Sequence, residues 1–246
     1  KKHQYPIQII KGENIGWRKS FLEALKQSQK ADFYAFSDQD DIWFLNKLKR
    51  STDFLQESNV SATPTMYHSN RLSVYSDLEP LKKQMPKISS PINFENSLIQ
   101  EFAQGCTIVM NQSLKDLVCK HTPQDIPHDF WTGLLAYCFG KIIYDNAPTL
   151  YHIHHDKNQS SDGKLFESWL SRLKSISTHK MYENPSHDLL SNYRYLLTHE
   201  RILFLTKLYN NHTLKNKLSL IFDHNFRRCN IFGTIMLKIA VLINKI

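Results

Sequence analysis

Apolar and polar positions alternate along this 246-residue chain with two periods, and the switches between them predict the elements. Residues 5–10 read as a strand. Residues 11–16 read as a turn in which Asn14 and two glycines allow unusual backbone angles. Trp17, Phe21, Ala24, Leu25 and Ser28 recur at helical spacing, which predicts a helix over 16–29. The period then drops to two. Phe33, Ala35 and Ser37 fall on one face of a strand, and Tyr34 and Phe36 on the other. Strand, helix and strand in this order predict a βαβ unit with a parallel sheet.

Further along, 44–56 reads as a helix and 65–69 and 71–75 as two short strands. Pro80, Pro86 and Pro91 mark 78–91 as a mobile loop. A short helix over 94–100 precedes a β-prone run, 102–110, which Gln104-Gly105-Cys106 interrupts. A glycine inside a strand pattern implies a bulge or a close backbone approach. Residues 113–120 form a helix, and Pro127 opens another that Gly140 stops. Residues 141–144 and 147–153 are extended, and the character changes after Ser160. Helical spacing covers 165–176, 188–209 and 214–222, and 231–246 is strongly apolar with isolated lysines. That last stretch suits either a core helix or one lying on a membrane surface, where Arg227 and Arg228 would meet anionic lipid. The pattern divides the chain into an α/β unit over 1–160 and a helical region over 161–246.

Composition changes this picture little. Hydrophobic residues make up 41% and charged residues 22%, which is ordinary for a globular protein. The formal charge of +8 favours anionic partners: nucleic acid, an anionic membrane face or phosphorylated substrates. No recognition helix or aromatic RNA motif supports nucleic acid. Cys106, Cys119, Cys138 and Cys229 show neither CxxC nor zinc spacing, which points to a reducing interior and a cytoplasmic location. No apolar run is long enough to span a bilayer. The sequence opens without Met, inside a predicted strand, as though partway into a longer polypeptide.

The chemistry centres on Asp38-Gln39-Asp40-Asp41, at the carboxyl end of the alternating strand. Open α/β sheets bind ligands at such ends. Clustered carboxylates repel unless a cation balances them, and oxygen ligands suit Mg²⁺ or Mn²⁺. An acidic turn capping the next helix is the plainer reading. The turn is not an EF-hand, because Trp43 stands where that loop needs Gly, and no P-loop or GxGxxG is present. His128-Asp129 opens a helix beside aromatic bulk, where an acid could serve as a general base or simply satisfy the helix dipole. His152 and His154 share a strand face, and an imidazole there could complete a metal site. Cys106 lacks an identifiable base and reads as structural.

In this order the pieces resemble glycosyltransferase family 2, in particular its bacterial rhamnosyltransferase-like members. The matching residues are Gly12-Glu13-Asn14-Ile15-Gly16; Phe36-Ser37-Asp38-Gln39-Asp40-Asp41-Ile42-Trp43 with Asn46-Lys47; Gln104-Gly105-Cys106-Thr107 with Asn111; His128-Asp129 with Trp131; Gly140-Lys141-Ile142-Ile143-Tyr144; and Tyr151 with His154 and Asn158. The resemblance implies a GT-A fold and transfer of a sugar, with inversion, from a nucleotide donor to a polysaccharide or lipid-linked acceptor. It implies Mn²⁺ or Mg²⁺ held by Asp40 and His154, with Asp38 and Asp41 at ribose or diphosphate. Asp129 matches the acid that deprotonates the acceptor. Asn14, Gly105, Cys106, His128 and Trp131 fall within the matched motifs as substrate-binding candidates. The family usually begins with a further strand and helix of roughly fifty residues. Asn70 stands where relatives often carry an acid, and His155-Asp156 replaces the usual small or amide residues. The expected partners are a nucleotide-sugar donor, a glycan acceptor and the inner membrane face, with no nucleic acid. The rival readings are an inactive sugar- or lipid-binding module of the same fold and a Mg²⁺-dependent phosphotransferase.

Overall fold

The computed structural model describes residues 7–58, 62–82, 84, 87–154 and 183–244. Its strands are β1 (Phe33–Ala35), β2 (Ile42–Trp43), β3 (Thr65–Val74), β4 (Val109–Asn111) and β5 (Lys141–Ile153). They form one sheet in the order β1-β4-β3-β5-β2. Only β3 and β5 run parallel; the other pairings are antiparallel. This corrects the expected parallel βαβ unit. Among the described residues, 7–10 pair with no strand, and Ile7 and Ile9 are more than 80% exposed (87% and 81%). Among the described residues the first strand of the sheet is β1, and it pairs with β4.

Two predicted interruptions do not break the strands. The runs 65–69 and 71–75 merge into β3, and 141–144 and 147–153 merge into β5. Register shifts around Asn70 absorb the mismatch, leaving Asn70 opposite Pro148. Polar bonds fill the irregularity. Asn70 Nδ2 donates to the Asn146 side chain (3.0 Å), and Tyr144 Oη donates to Asn70 Oδ1 (3.0 Å). Asp145 accepts from Tyr67 Oη (2.8 Å), Ala147 N–H (3.0 Å) and Arg50.

The helices are α1 (Trp17–Gln27), α2 (Lys47–Glu57), α3 (Phe94–Ser97), α4 (Gln112–Cys119), α5 (His128–Phe139), α6 (Glu183–Asn192), α7 (His199–Tyr209), α8 (Leu214–Phe222) and α9 (Ile231–Leu242). The predicted 188–209 helix divides at a 3₁₀ turn, Arg194–Leu196, before Thr198 caps α7. The predicted helix over 165–176, the division at 160 and Asn158 lie outside the described residues.

Alternation sorts the side chains into two layers. Tyr34, Phe36, Met66 and Met110 join a large core with α1, α4 and α5, while Tyr67 and Val109 join Leu55 of α2, flanked by Phe33, Ala35 and Ile143. The C-terminal helices belong to the large core through Leu189, Tyr193, Leu205, Leu220 and Val241. Arg201 reaches the Cys138 carbonyl (2.8 Å) and Arg228 the Ile99 carbonyl (2.9 Å), satisfying backbone acceptors of the sheet-covering layer. Gly140 ends α5 as predicted, for a steric reason: a Cβ there would meet the Pro64 carbonyl oxygen at 1.9 Å. The α/β architecture is consistent with a GT-A-like fold.

Candidate active site

The acidic turn leaves β1 and feeds β2. β2 pairs with β5 so that Ile42 faces Tyr151, and the same antiparallel register sets Asp41 opposite His152. His152 Nδ1 lies 2.8 Å from Asp41 Oδ1. The Asp41 carboxylate has no exposed surface, and its other oxygen, Oδ2, meets no nitrogen or oxygen donor. Asp38 is half-buried, and burial first, then the charges of Asp41 and Asp40, push its pKa up against the opposing pull of His152. Asp129 adds to the same upward shift, so its charge reaches the turn.

The loop before β4 forms the next wall. Gly105–Thr107 is a 3₁₀ turn, and Cys106 is buried within it. Lys47, at the start of α2, has no exposed surface and donates from Nζ to the Cys106 carbonyl (2.7 Å). Burial lowers the Lys47 pKa to about 8, and its ammonium lies 4.7 Å from the centre of the Trp43 ring. Burial, then Asp41, pushes the Cys106 thiol well above its ordinary range, so it is no ready nucleophile.

Asp129 lies in the first turn of α5. Its Oδ2 accepts from Gly105 N–H (3.2 Å) and its Oδ1 from Phe130 N–H (2.9 Å). The Gly105 amide thus orients one oxygen of the acid, while its neighbour Cys106 faces Asp41. A Cβ on Gly105 would meet His128 Nε2 at 2.6 Å, so the close backbone approach implied by the sequence is real. His128 is boxed by aromatic rings: stacked on Phe21 at 4.1 Å and edge-on to Phe36 at 4.6 Å. Neither of its ring nitrogens has a partner, and burial lowers its pKa. Glu101 keeps part of its surface in solvent but bonds Asp129 through its carboxyl. Burial of that carboxyl, then the charge of Asp129, drives its pKa well up against the pull of Arg71. A crevice too narrow for water runs beside the pair, lined by Glu101, Phe102, Ala103 and Asp129.

These contacts gather Asp38, Asp41, Gly105, Cys106, His128 and Asp129. Asp40 stands half-buried on the same turn. Other candidates lie elsewhere. Asn14 is exposed on the segment before α1. Trp131 has no exposed surface and packs edge-on against Tyr193 (5.7 Å) in the core, so it offers no face to a sugar. His154 follows β5 and donates its backbone N–H to Val74 O (2.7 Å); the imidazole that meets the turn is that of His152. Sequence reasoning missed Lys47, Arg71 and Glu101. Lys47 falls within a quoted motif, but nothing local marks it as buried.

No protein-family model matches the chain. Over 183 residues it is 29% identical to the dTDP-rhamnosyl transferase RfbG of Shigella flexneri, a match that covers 69% of this chain. The match supports a relationship to glycosyltransferases, and the chain spans 61% of that relative's length.

Proposed function

We propose that this chain is the catalytic part of an inverting glycosyltransferase. It would move a sugar, rhamnose by analogy with the relative, from a nucleoside diphosphate to a hydroxyl of a polysaccharide or lipid-linked acceptor. The observation that carries the reading is the electrostatic reach of Asp129 to Asp38, across a wall made by Gly105 and Cys106. On this reading the turn serves the leaving group and Asp129 is the candidate base.

Asp129 takes the acceptor's proton as the acceptor oxygen attacks the anomeric carbon and the bond to the diphosphate oxygen breaks. One carboxylate suffices for a single inverting displacement. Gly105 N–H and Glu101 hold Asp129 in place. Asp38 serves the ribose or diphosphate, and Asp41, fully enclosed, acts from behind through His152. Asp40 would hold Mn²⁺ or Mg²⁺ from the same turn. The raised Asp38 and the poorly paired Asp41 carboxylate fit a turn short of positive charge. When bound, such an ion offsets the charge on the departing diphosphate.

Asp129→Asn is expected to lower dTDP release from dTDP-rhamnose by about 10²–10⁴-fold. Release at the parental rate would remove Asp129 from the base role.

The same reading places the protein at the inner face of the cell membrane. No described helix is long and apolar enough to cross one. α9 buries Leu237, Ala240 and Val241 and exposes Ile231, Phe232 and Ile235 on its other side. α8 exposes Leu214 and Phe222, with Lys215 also exposed. Apolar stripes edged by cations suit an anionic bilayer. Flotation with anionic vesicles, but not with zwitterionic ones, is expected, and Phe222→Ser with Phe232→Ser should abolish it.

A further inference from the structure

Three side chains from three separate segments converge behind the acidic turn. Asp41 comes from the turn, Cys106 from the 3₁₀ turn before β4, and His152 from β5. One ligand atom from each lies within 4.8 Å of the other two. All three are sheltered: the Asp41 side chain has no exposed surface, that of His152 is 13% exposed, and Cys106 is 2% exposed. Asp41 Oδ2 is buried and meets no nitrogen or oxygen donor, and the weak Cys106 thiol is the group that bonds the same carboxylate. A poorly paired carboxylate oxygen in such a place is costly unless something positive meets it.

We propose that Asp41, Cys106 and His152 form a thiophilic metal site that takes Zn²⁺. This site is separate from any Mn²⁺ or Mg²⁺ held by Asp40. The donor set decides the metal: thiolate, imidazole and carboxylate together suit zinc, whereas Mg²⁺ and Mn²⁺ prefer oxygen alone. Zinc bonds of about 2.0–2.3 Å put tetrahedral donor atoms roughly 3.3–3.6 Å apart. The trio reaches that spacing if Asp41 and His152 open slightly from 2.8 Å. Binding releases the thiol proton to solvent and leaves Zn²⁺ with one thiolate, one carboxylate and one neutral imidazole. Three protein ligands leave a fourth position open. Lys47 and Arg71 are the cations whose charge reaches Cys106 or Asp41, and Asp38 is a further anion acting on Cys106. A zinc ion here would tie the turn, the Gly105 wall and β5 together, fixing the shape of the cleft from behind. The inference does not depend on the transferase reading.

The test uses the full chain, stripped with a chelator and titrated with Co²⁺, whose absorption reports thiolate ligation. One equivalent should bind with a sulfur-to-cobalt charge-transfer band and be displaced by Zn²⁺. Cys106→Ser should abolish the band, His152→Gln should weaken binding at least about tenfold, and Asp40→Ala should leave both unchanged. If Cys106→Ser fails to fold, the near-surface His152→Gln reads the same site. A band that survives Cys106→Ser in folded protein, binding unchanged in His152→Gln, no bound cobalt, or loss only in Asp40→Ala would each overturn the proposal.

Discussion

The two acidic groups of the candidate site, the Asp38–Asp41 turn and the Asp129–Glu101 pair, are built differently. The turn holds Asp38, Asp40 and Asp41; burial and the charges of Asp41 and Asp40 raise the Asp38 pKa, and His152 and the Cys106 thiol meet Asp41. Two like charges about 4 Å apart repel by roughly 4 kcal/mol at an effective dielectric of about 20. On the proposed reading a cation completes this turn. The other pole pairs Asp129 with Glu101, and there burial, then the charge of Asp129, raises the Glu101 pKa. A carboxyl pair joined by a hydrogen bond needs no metal to bring its members together. The lesson is that similar groups are set to opposite tasks by what surrounds them.

The comparison yields effects of decreasing size. Asp40→Ala should break the first pole: Mn²⁺-dependent binding of dTDP-rhamnose should weaken by at least about a hundredfold, while thermal stability stays parental. Retained affinity would move the metal elsewhere. At the second pole the expected loss is smaller. Glu101→Ala should lower turnover about tenfold without changing donor affinity. Glu101→Gln, whose amide can still donate to Asp129, should stay within about threefold of parental turnover. Equal losses in the two variants would mean that Glu101 must titrate and does not merely position Asp129. The smallest effect is a pH trend. Asp38 has a raised pKa, so protons compete for it at a higher pH than for an ordinary aspartate. Metal-dependent donor affinity should therefore fall as pH is lowered, starting at a higher pH than an ordinary aspartate would cause, by no more than about tenfold per unit. A flat affinity as pH is lowered would mean that Asp38 is not ionised in the complex.

Much of this was legible where information is local. The Phe33–Ser37 alternation correctly divided the two core layers. Pro127, His128 and Asp129 marked the start of α5, and Gly140 its end. What failed was non-local. Strand direction depends on pairing, and residues 7–10 carry a strand pattern yet find no strand partner among the described residues. That His152 meets Asp41 follows from the β2–β5 register, which no spacing within 151–155 reveals. Glu101 lies 28 positions from Asp129 and belongs to no motif, so only the fold brings it near. Trp131 falls within a matched motif, but α5 is buried around most of its circumference and encloses the ring. A lysine in a first helical turn reads as solvated, yet Lys47 is enclosed because the Cys106 carbonyl and the Trp43 ring receive its ammonium.

The most direct test of the two-pole account is calorimetry of dTDP-rhamnose with Mn²⁺ on Asp129→Asn, run beside a dTDP-release assay on the same sample. The account predicts parental donor affinity with turnover lost. Donor binding that disappears with the Asp129 carboxylate, or turnover that survives without it, would contradict the separation of leaving-group and acceptor poles.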